Sequence, residues 1–139
     1  MQPARSPVAF SPNGARIAFG SDRSVRVADL AGASREIAPA GAVTALSWSS
    51  QLNLIAVIDG GSVWTMRADG SGRTRVDLPG VAVQAVWASG SDRLAVVLRR
   101  AIEGVARSEL WLVNRDGGFR RFVIRSPAGR AIRDLQWFA

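Results

Sequence analysis

Short apolar strands alternate with polar turns along the whole chain. The first strand of each repeating unit ends at an aromatic residue, and these residues are spaced by 38, 39 and 50 positions: Phe10, Trp48, Trp87 and Trp137. A second strand follows after a turn of small and polar residues. It is a continuous apolar run, as in residues 54–58, rather than a strict alternation of apolar and polar positions. Such a run predicts a strand that is buried on both faces of its sheet.

Each unit continues with two further strands. Third strands, which run towards Asp29, Asp69 and Asp116, cover three segments: residues 25–27, 63–66 and 110–113. Fourth strands close the units: residues 35–37, 74–78 and 121–124. The pattern shows no long helical period of 3.6 residues. A repeat of about 40 residues with four short strands per unit is typical of β-propeller blades, in which each sheet is covered by its neighbours.

The predicted fold is therefore all-β. Residues 1–139 form a partial β-propeller of about three four-stranded blades, at approximately residues 7–39, 42–79 and 82–125, and residues 132–138 add the first strand of a fourth. The four aromatic residues are expected to pack between blades. Closed propellers have about 4 to 8 blades, so we expect the chain to be a piece of a larger propeller. Self-association through open blade edges is the alternative, although the surplus strand argues against a clean half-ring.

The composition removes most catalytic chemistry. The sequence has neither histidine nor cysteine, so it lacks the commonest general base and the thiol nucleophile. Ser11, Ser49 and Ser89 stand at repeated turn positions and are interpreted as turn residues. The segment 69–72 is interpreted as a plain turn, because it supplies one carboxylate whereas a calcium site needs about 6 to 8 oxygen ligands. We expect no enzyme activity and no catalytic, cofactor-binding or metal-binding residues.

All 18 basic residues are arginine, and the formal net charge is +7. The arginines are scattered, whereas a nucleic-acid surface usually clusters them among aromatic residues, so a solvated surface is the preferred interpretation and no nucleic-acid partner is expected. No apolar run approaches the roughly 18 residues that a transmembrane helix needs. No transmembrane helix is therefore expected in this chain.

An insertion at residues 99–107 interrupts the repeat. Insertions in repeat folds map to loops on one face, which is often the binding face. Four charged residues of this loop are candidates for binding a protein partner: Arg99, Arg100, Glu103 and Arg107. The alternative interpretation is a longer hairpin without a role.

Residues 10–19, with the sequence FSPNGARIAF, resemble the signature of WD40-like, TolB-type propeller repeats, with Asn13 where aspartate is usual. A narrower resemblance is to the C-terminal propeller of actinobacterial LpqB-type lipoproteins, and four segments carry it: residues 45–49, 93–97, 110–113 and 133–137. The lysine-free, arginine-rich composition agrees. This resemblance implies an extracytoplasmic location at the cell envelope, with contact to the membrane only through a lipid anchor outside this chain. It also implies a link to a two-component sensor kinase, whose extracellular domain is then the expected partner.

Three functions follow as hypotheses. The first is a non-catalytic protein-interaction propeller of an envelope lipoprotein. The alternatives are the accessory propeller of a prolyl-oligopeptidase-type hydrolase and a TolB-like periplasmic scaffold. A lipobox upstream would favour the first, and a G-x-S-x-G hydrolase domain downstream would favour the second.

Overall fold

The computed structural model describes residues 7–21, 23–88, 92–115 and 118–127, together with Ile132. These residues form twelve β-strands and no helix. The strands are β1 Val8–Phe10, β2 Arg16–Ser21, β3 Ser24–Asp29, β4 Ser34–Pro39, β5 Val43–Trp48, β6 Leu54–Asp59, β7 Ser62–Arg67, β8 Thr74–Val76, β9 Val81–Trp87, β10 Arg93–Ile102, β11 Val105–Asn114 and β12 Arg120–Arg125.

Consecutive strands pair into three antiparallel sheets of four strands. Sheet 1 contains β1 to β4, sheet 2 contains β5 to β8, and sheet 3 contains β9 to β12, each in sequence order. Every strand pairs only with its neighbours along the chain, because short turns join them. The predicted all-β fold of four-stranded units is confirmed. The expected extra strand at residues 132–138 lies outside the described residues, apart from Ile132.

The central strand β6 shows why the apolar run is continuous. Alternate side chains of a strand point to opposite faces of its sheet. Ile55 and Val57 therefore lie in the core between sheets 1 and 2. Ala56 and Ile58 lie in the core between sheets 2 and 3. All four are fully buried, and burying one large aliphatic side chain stabilises a fold by roughly 1.5–3 kcal/mol.

Two of the repeated tryptophans pack between sheets as predicted. Trp48 is buried in the core between sheets 1 and 2, and its indole Nε1 donates to Oδ1 of Asn53 at 2.9 Å. Trp87 is buried in the core between sheets 2 and 3. Its indole Nε1 donates to the carbonyl oxygen of Ser47 at 3.0 Å, and its backbone N donates to the hydroxyl of Ser47 at 3.2 Å. Satisfying the indole N–H lets each ring be buried without leaving an unpaired polar group.

Phe10 does not follow this pattern, and its predicted burial between blades is wrong here. Phe10 pairs with Ile17 on the face of sheet 1 that points away from sheet 2, and it is 62% exposed. Its neighbour Ala9 points the other way and packs on the core between sheets 1 and 2. Among the described residues no sheet covers the face that carries Phe10. Trp137, the last aromatic of the repeat, lies outside the described residues.

The turn after β7 brings sheet 2 against the backbone of sheet 1. The carboxylate of Asp69 accepts bonds from the backbone N and the hydroxyl of Ser71, and these bonds lower its pKa. Residues 69–72 thus form the plain turn that the sequence predicts. Gly70 has a φ of 86°, and a Cβ added there would collide with the carbonyl oxygen of Ile37. Glycine is therefore required both by the turn and by the close approach.

Candidate functional site

The insertion in the third unit is a regular β-hairpin, which corrects the expectation of a loop. β10 and β11 have ten residues each, whereas the corresponding strands β6 and β7 of sheet 2 have six. The two strands stay paired as far as Ile102 and Val105. Glu103 and Gly104 make the turn with φ values of 51° and 79°. Positive φ at both central residues matches the right-handed twist of a two-residue hairpin.

The end of this hairpin protrudes beyond its sheet. On one side of the hairpin, the pairing of β10 with β9 stops at Arg99. On the other side, the hydrogen bonds between Ser126 and Ser108 are the last backbone contacts of β11. Residues 100–102 and 105–107 thus have no further strand beside them among the described residues. Four extra residues per strand, at about 3.3 Å each, raise the tip by about 13 Å relative to the hairpin of sheet 2. We call residues 100–107 the protruding ribbon.

The four predicted binding residues do not form one group. Arg100 and Arg107 are directly opposite each other on one face of the ribbon. Arg99 pairs with Ser108, so its side chain points to the other face. Glu103 is exposed at the turn. The structure therefore brings together Arg100 and Arg107 and leaves Arg99 and Glu103 apart from them.

A buried carboxylate lies at the base of the ribbon, and the sequence reasoning missed it. The Glu109 side chain is 1% exposed. Its Oε2 accepts from Arg125 Nε at 2.7 Å and Nη2 at 2.6 Å. Its Oε1 accepts from Trp111 Nε1 at 3.1 Å and lies 3.5 Å from Arg100 Nη1. A lone acidic residue directly before the apolar run of β11 was the available signal, because buried carboxylates need a cationic partner.

Two effects compete at this carboxyl group. Burial of Glu109 opposes its ionisation and is the larger single influence. The hydrogen bonds from Arg125 and Trp111 and the charges of Arg100 and Arg125 together outweigh it, so the pKa of Glu109 is lowered from its ordinary value. Glu109 is therefore ionised at neutral pH and carries one negative charge.

Two arginines face this single negative charge, and a third lies next to one of them. Arg125 and Arg100 face Glu109 directly, and Arg107 lies across the hairpin from Arg100. The Nη1 of Arg107 donates to the carbonyl oxygen of Ser126 at 3.4 Å, and its Nε is buried without a hydrogen-bond partner. The cluster therefore has a local charge of about +2, and such a group of guanidinium donors is suited to an anion.

Other candidate chemistry is accounted for by local structure. The hydroxyl of Ser11 donates to Asn13 and accepts from the backbone N of Arg16, and the hydroxyl of Ser49 accepts from two backbone N–H groups. Both therefore serve as turn residues, as predicted, while Ser89 lies outside the described residues.

Within the described ranges, no three acidic side chains converge as a metal site would require. The same part of the chain holds no helix that is long and apolar enough to span a membrane.

The fold is similar to that of several solved structures. The TolB-type protein of Agrobacterium tumefaciens matches with a TM-score of 0.71 and 15% identity, over 90% of this chain and 51% of that one. The β-propeller domain of the Trilobed protease of Pyrococcus furiosus matches with a TM-score of 0.60 and 16% identity, over 84% and 42%. These three sheets are propeller blades. Dipeptidyl peptidase 4 of Porphyromonas gingivalis matches with a TM-score of 0.66 and 13% identity, over 94% of this chain and 27% of that one.

The chain spans about half the length of the TolB-type structure that it matches, and less of the other two. No family model matches the sequence, and no curated protein matches it. The three blades are therefore similar in fold to TolB-type and peptidase propellers, at identities of 13–16%.

Proposed function

We propose that this chain is part of a non-catalytic, TolB-like propeller that binds a protein partner through the protruding ribbon. The observation that carries this proposal is the ribbon itself. It exceeds the corresponding hairpin of sheet 2 by four residues per strand and presents two arginines on one face. The turns between second and third strands lie at the same end of every blade, and among the described residues the ribbon projects furthest from that end. Extended loops on one face of a repeat fold commonly make its contacts.

We place the protein at the cell envelope, outside the cytoplasm. This part of the proposal is supported by the similarity in fold to TolB and by the sequence resemblance to the propeller of LpqB-type lipoproteins. That resemblance makes the extracellular domain of a two-component sensor kinase the first partner to test. A lipid anchor outside this chain would then hold the propeller at the membrane.

Site-specific photo-crosslinking tests the proposal in the full-length protein, produced in its native cells. A photoreactive residue at Glu103 stands at the tip of the ribbon, and one at Gln51 stands in the exposed turn between β5 and β6, at the opposite end of the blades. We expect a discrete protein adduct from position 103 and none from position 51. Equal adducts from both positions, or none from position 103, would contradict the proposal.

A shortened hairpin provides the matched variant. In sheet 2, Asp59 and Ser62 pair directly and Gly60–Gly61 joins them. Replacing residues 99–108 with Gly-Gly joins the corresponding pair, Leu98 and Glu109, in the same way. This variant should fold as a propeller, because residues 99–108 supply none of the residues of the buried core clusters. We expect it to lose binding to the partner that the adduct identifies, and full retention would argue against the ribbon.

A second candidate function is the accessory propeller of a peptidase. It is favoured by the similarity in fold to dipeptidyl peptidase 4 and to the acylaminoacyl peptidase of Pyrococcus horikoshii, which matches with a TM-score of 0.64 and 11% identity over 87% of this chain and 24% of that one. Sequencing the whole reading frame separates the two candidates. A hydrolase domain with a G-x-S-x-G motif would support the peptidase, whereas a lipobox would support the envelope lipoprotein.

A further inference from the structure

Arg100 and Arg107 form the only cross-strand pair of like charges in the protruding ribbon. They are paired directly across β10 and β11, where side chains on the same face lie about 4.5–5.5 Å apart at Cβ. Like charges in this arrangement destabilise a hairpin. The neighbouring ribbon pairs, Ala101 with Ala106 and Ile102 with Val105, carry no opposite charge that could offset the repulsion.

Glu109 neutralises this pair only in part. Its Oε2 already accepts from two nitrogens of Arg125, and its Oε1 already accepts from the indole nitrogen of Trp111. Arg100 lies 3.5 Å from Oε1, longer than the 2.7–2.9 Å of a charge-assisted hydrogen bond. The side chain of Arg100 is 33% exposed. Arg100 therefore keeps N–H donors that an external group can reach. Arg107, directly across the hairpin, is partly exposed, although its Nε is buried.

We infer that Arg100 and Arg107 form a receptor for the carboxylate of an acidic, extended peptide segment of the protein partner. The inference rests on the proposed function and specifies the chemistry of that partner. Two guanidinium groups side by side can hold a carboxylate with paired, parallel hydrogen bonds. The carboxylate would add the negative charge that Glu109 does not supply.

The backbone of the ribbon favours an extended ligand. Residues 100–102 at the edge of β10 lie beyond the last pairing with β9. In an antiparallel hairpin the backbone groups of alternate residues point outward, so the N–H and C=O of Ala101 can pair with an added strand. Main-chain hydrogen bonds would then give affinity, and the arginine pair would select an acidic side chain. The ribbon contains no aromatic residue on which a base could stack, which favours a peptide over a single-stranded nucleic acid.

Binding of a fluorescein-labelled hexaglutamate peptide to the whole chain, measured by anisotropy, tests the receptor. The test variant is Arg100→Gln/Arg107→Gln, and the control is Arg35→Gln/Arg121→Gln, which removes the same charge from exposed positions on β4 and β12. We expect the test variant to weaken binding at least about tenfold and the control less than about twofold. Equal losses in the two variants would show attraction to net charge alone and would overturn the inference, as would no loss in either.

Two further measurements sharpen the result. Arg100→Lys/Arg107→Lys keeps both charges and removes the paired donors, so we expect it to bind more weakly than wild type. If this variant binds as tightly as wild type, positive charge alone is sufficient, and the proposed recognition by paired guanidinium hydrogen bonds is refuted. The second measurement uses a labelled hexathymidylate. If it binds wild type more tightly than hexaglutamate does, and the test variant loses this binding, the ligand is a nucleic acid and the acidic peptide is refuted.

The inference and the proposed function can fail separately. Photo-crosslinking from position 103 is repeated with Arg100→Gln/Arg107→Gln in the full-length protein, after a melting curve has shown that this variant is folded. Loss of an adduct that the wild type forms supports the receptor. An undiminished adduct would overturn the receptor while the proposed function stands, and absence of any wild-type adduct would overturn the proposed function itself.

Discussion

Replacing Glu109 with glutamine removes one negative charge at the base of the ribbon and nearly preserves the shape of the side chain. The carboxylate accepts bonds from Arg125 and Trp111. A hydrogen bond that involves a charged group contributes about 1.5–3 kcal/mol. The side chain of Arg125 is 41% exposed, so water can replace part of its bonding. We therefore expect Glu109→Gln to lower the free energy of unfolding by about 2 kcal/mol, near the lower end of that range.

The effect should depend on pH in a defined direction. The hydrogen bonds and charges around Glu109 outweigh its burial, so its folded-state pKa lies below the ordinary value of 4.5. A carboxyl with a lowered pKa contributes stability that is fully present above its unfolded-state pKa and is lost as the pH falls through the folded-state pKa. The difference between wild type and Glu109→Gln should be complete at neutral pH and shrink as the pH falls below 4.5.

Urea unfolding followed by tryptophan fluorescence measures this difference at each pH. Asp77→Asn is the matched control, because Asp77 pairs with Arg75 at 3.8 Å while its side chain is 87% exposed. We expect no measurable change from the control at any pH. The reasoning is refuted if Glu109→Gln is as stable as wild type at neutral pH. It is also refuted if the deficit is the same at every pH, since a loss of packing alone would behave in that way.

Three further predictions concern the blades. Gly70→Ala should lower the melting temperature more than Gly32→Ala, because both have positive φ but only position 70 meets the Ile37 carbonyl; equal shifts would refute the close approach. Leu98→Ala should cost about 2–5 kcal/mol in urea unfolding, since Leu98 is fully buried, and a loss below about 1 kcal/mol would show that the core tolerates the cavity. Phe10→Ser should leave stability unchanged and reduce self-association in gel filtration if the open face of sheet 1 pairs copies of the chain, and an unchanged elution volume would exclude Phe10 from such a contact.

The period of the sequence predicted the blades because burial on two faces leaves a direct signature. The apolar run of β6 reflects its position between two cores, and the indole rings of Trp48 and Trp87 lie between sheets as the spacing predicted. The same spacing gave a wrong prediction for Phe10, because burial depends on a neighbouring sheet as well as on the residue itself. Nothing in the local sequence around Phe10 distinguishes a covered face from an exposed one.

The arginine cluster could not be predicted from alternation along the strands. A β-bulge shifts the pairing of β11 and β12 between Leu110 and Trp111, so that Leu110 pairs with Ile124 and Trp111 with Phe122. The bulge breaks the simple alternation of faces along β12. Whether Arg125 faces Glu109 is therefore decided by the bulge, which the sequence does not mark with glycine. The insertion drew attention to Arg100 and Arg107 but gave no indication of the carboxylate between them and Arg125.

Because β6 contributes to both cores, sheet 2 should not open before the sheets on either side of it. In repeat folds each unit contacts only its neighbours, and opening proceeds through the interfaces between them. Within the described residues sheet 2 has two such interfaces, whereas sheets 1 and 3 have one each. Sheet 1 can therefore detach while β6 stays covered by sheet 3, and the reverse also holds. Backbone amides of β6 are consequently expected to exchange with solvent last, only after both neighbouring sheets have separated from it.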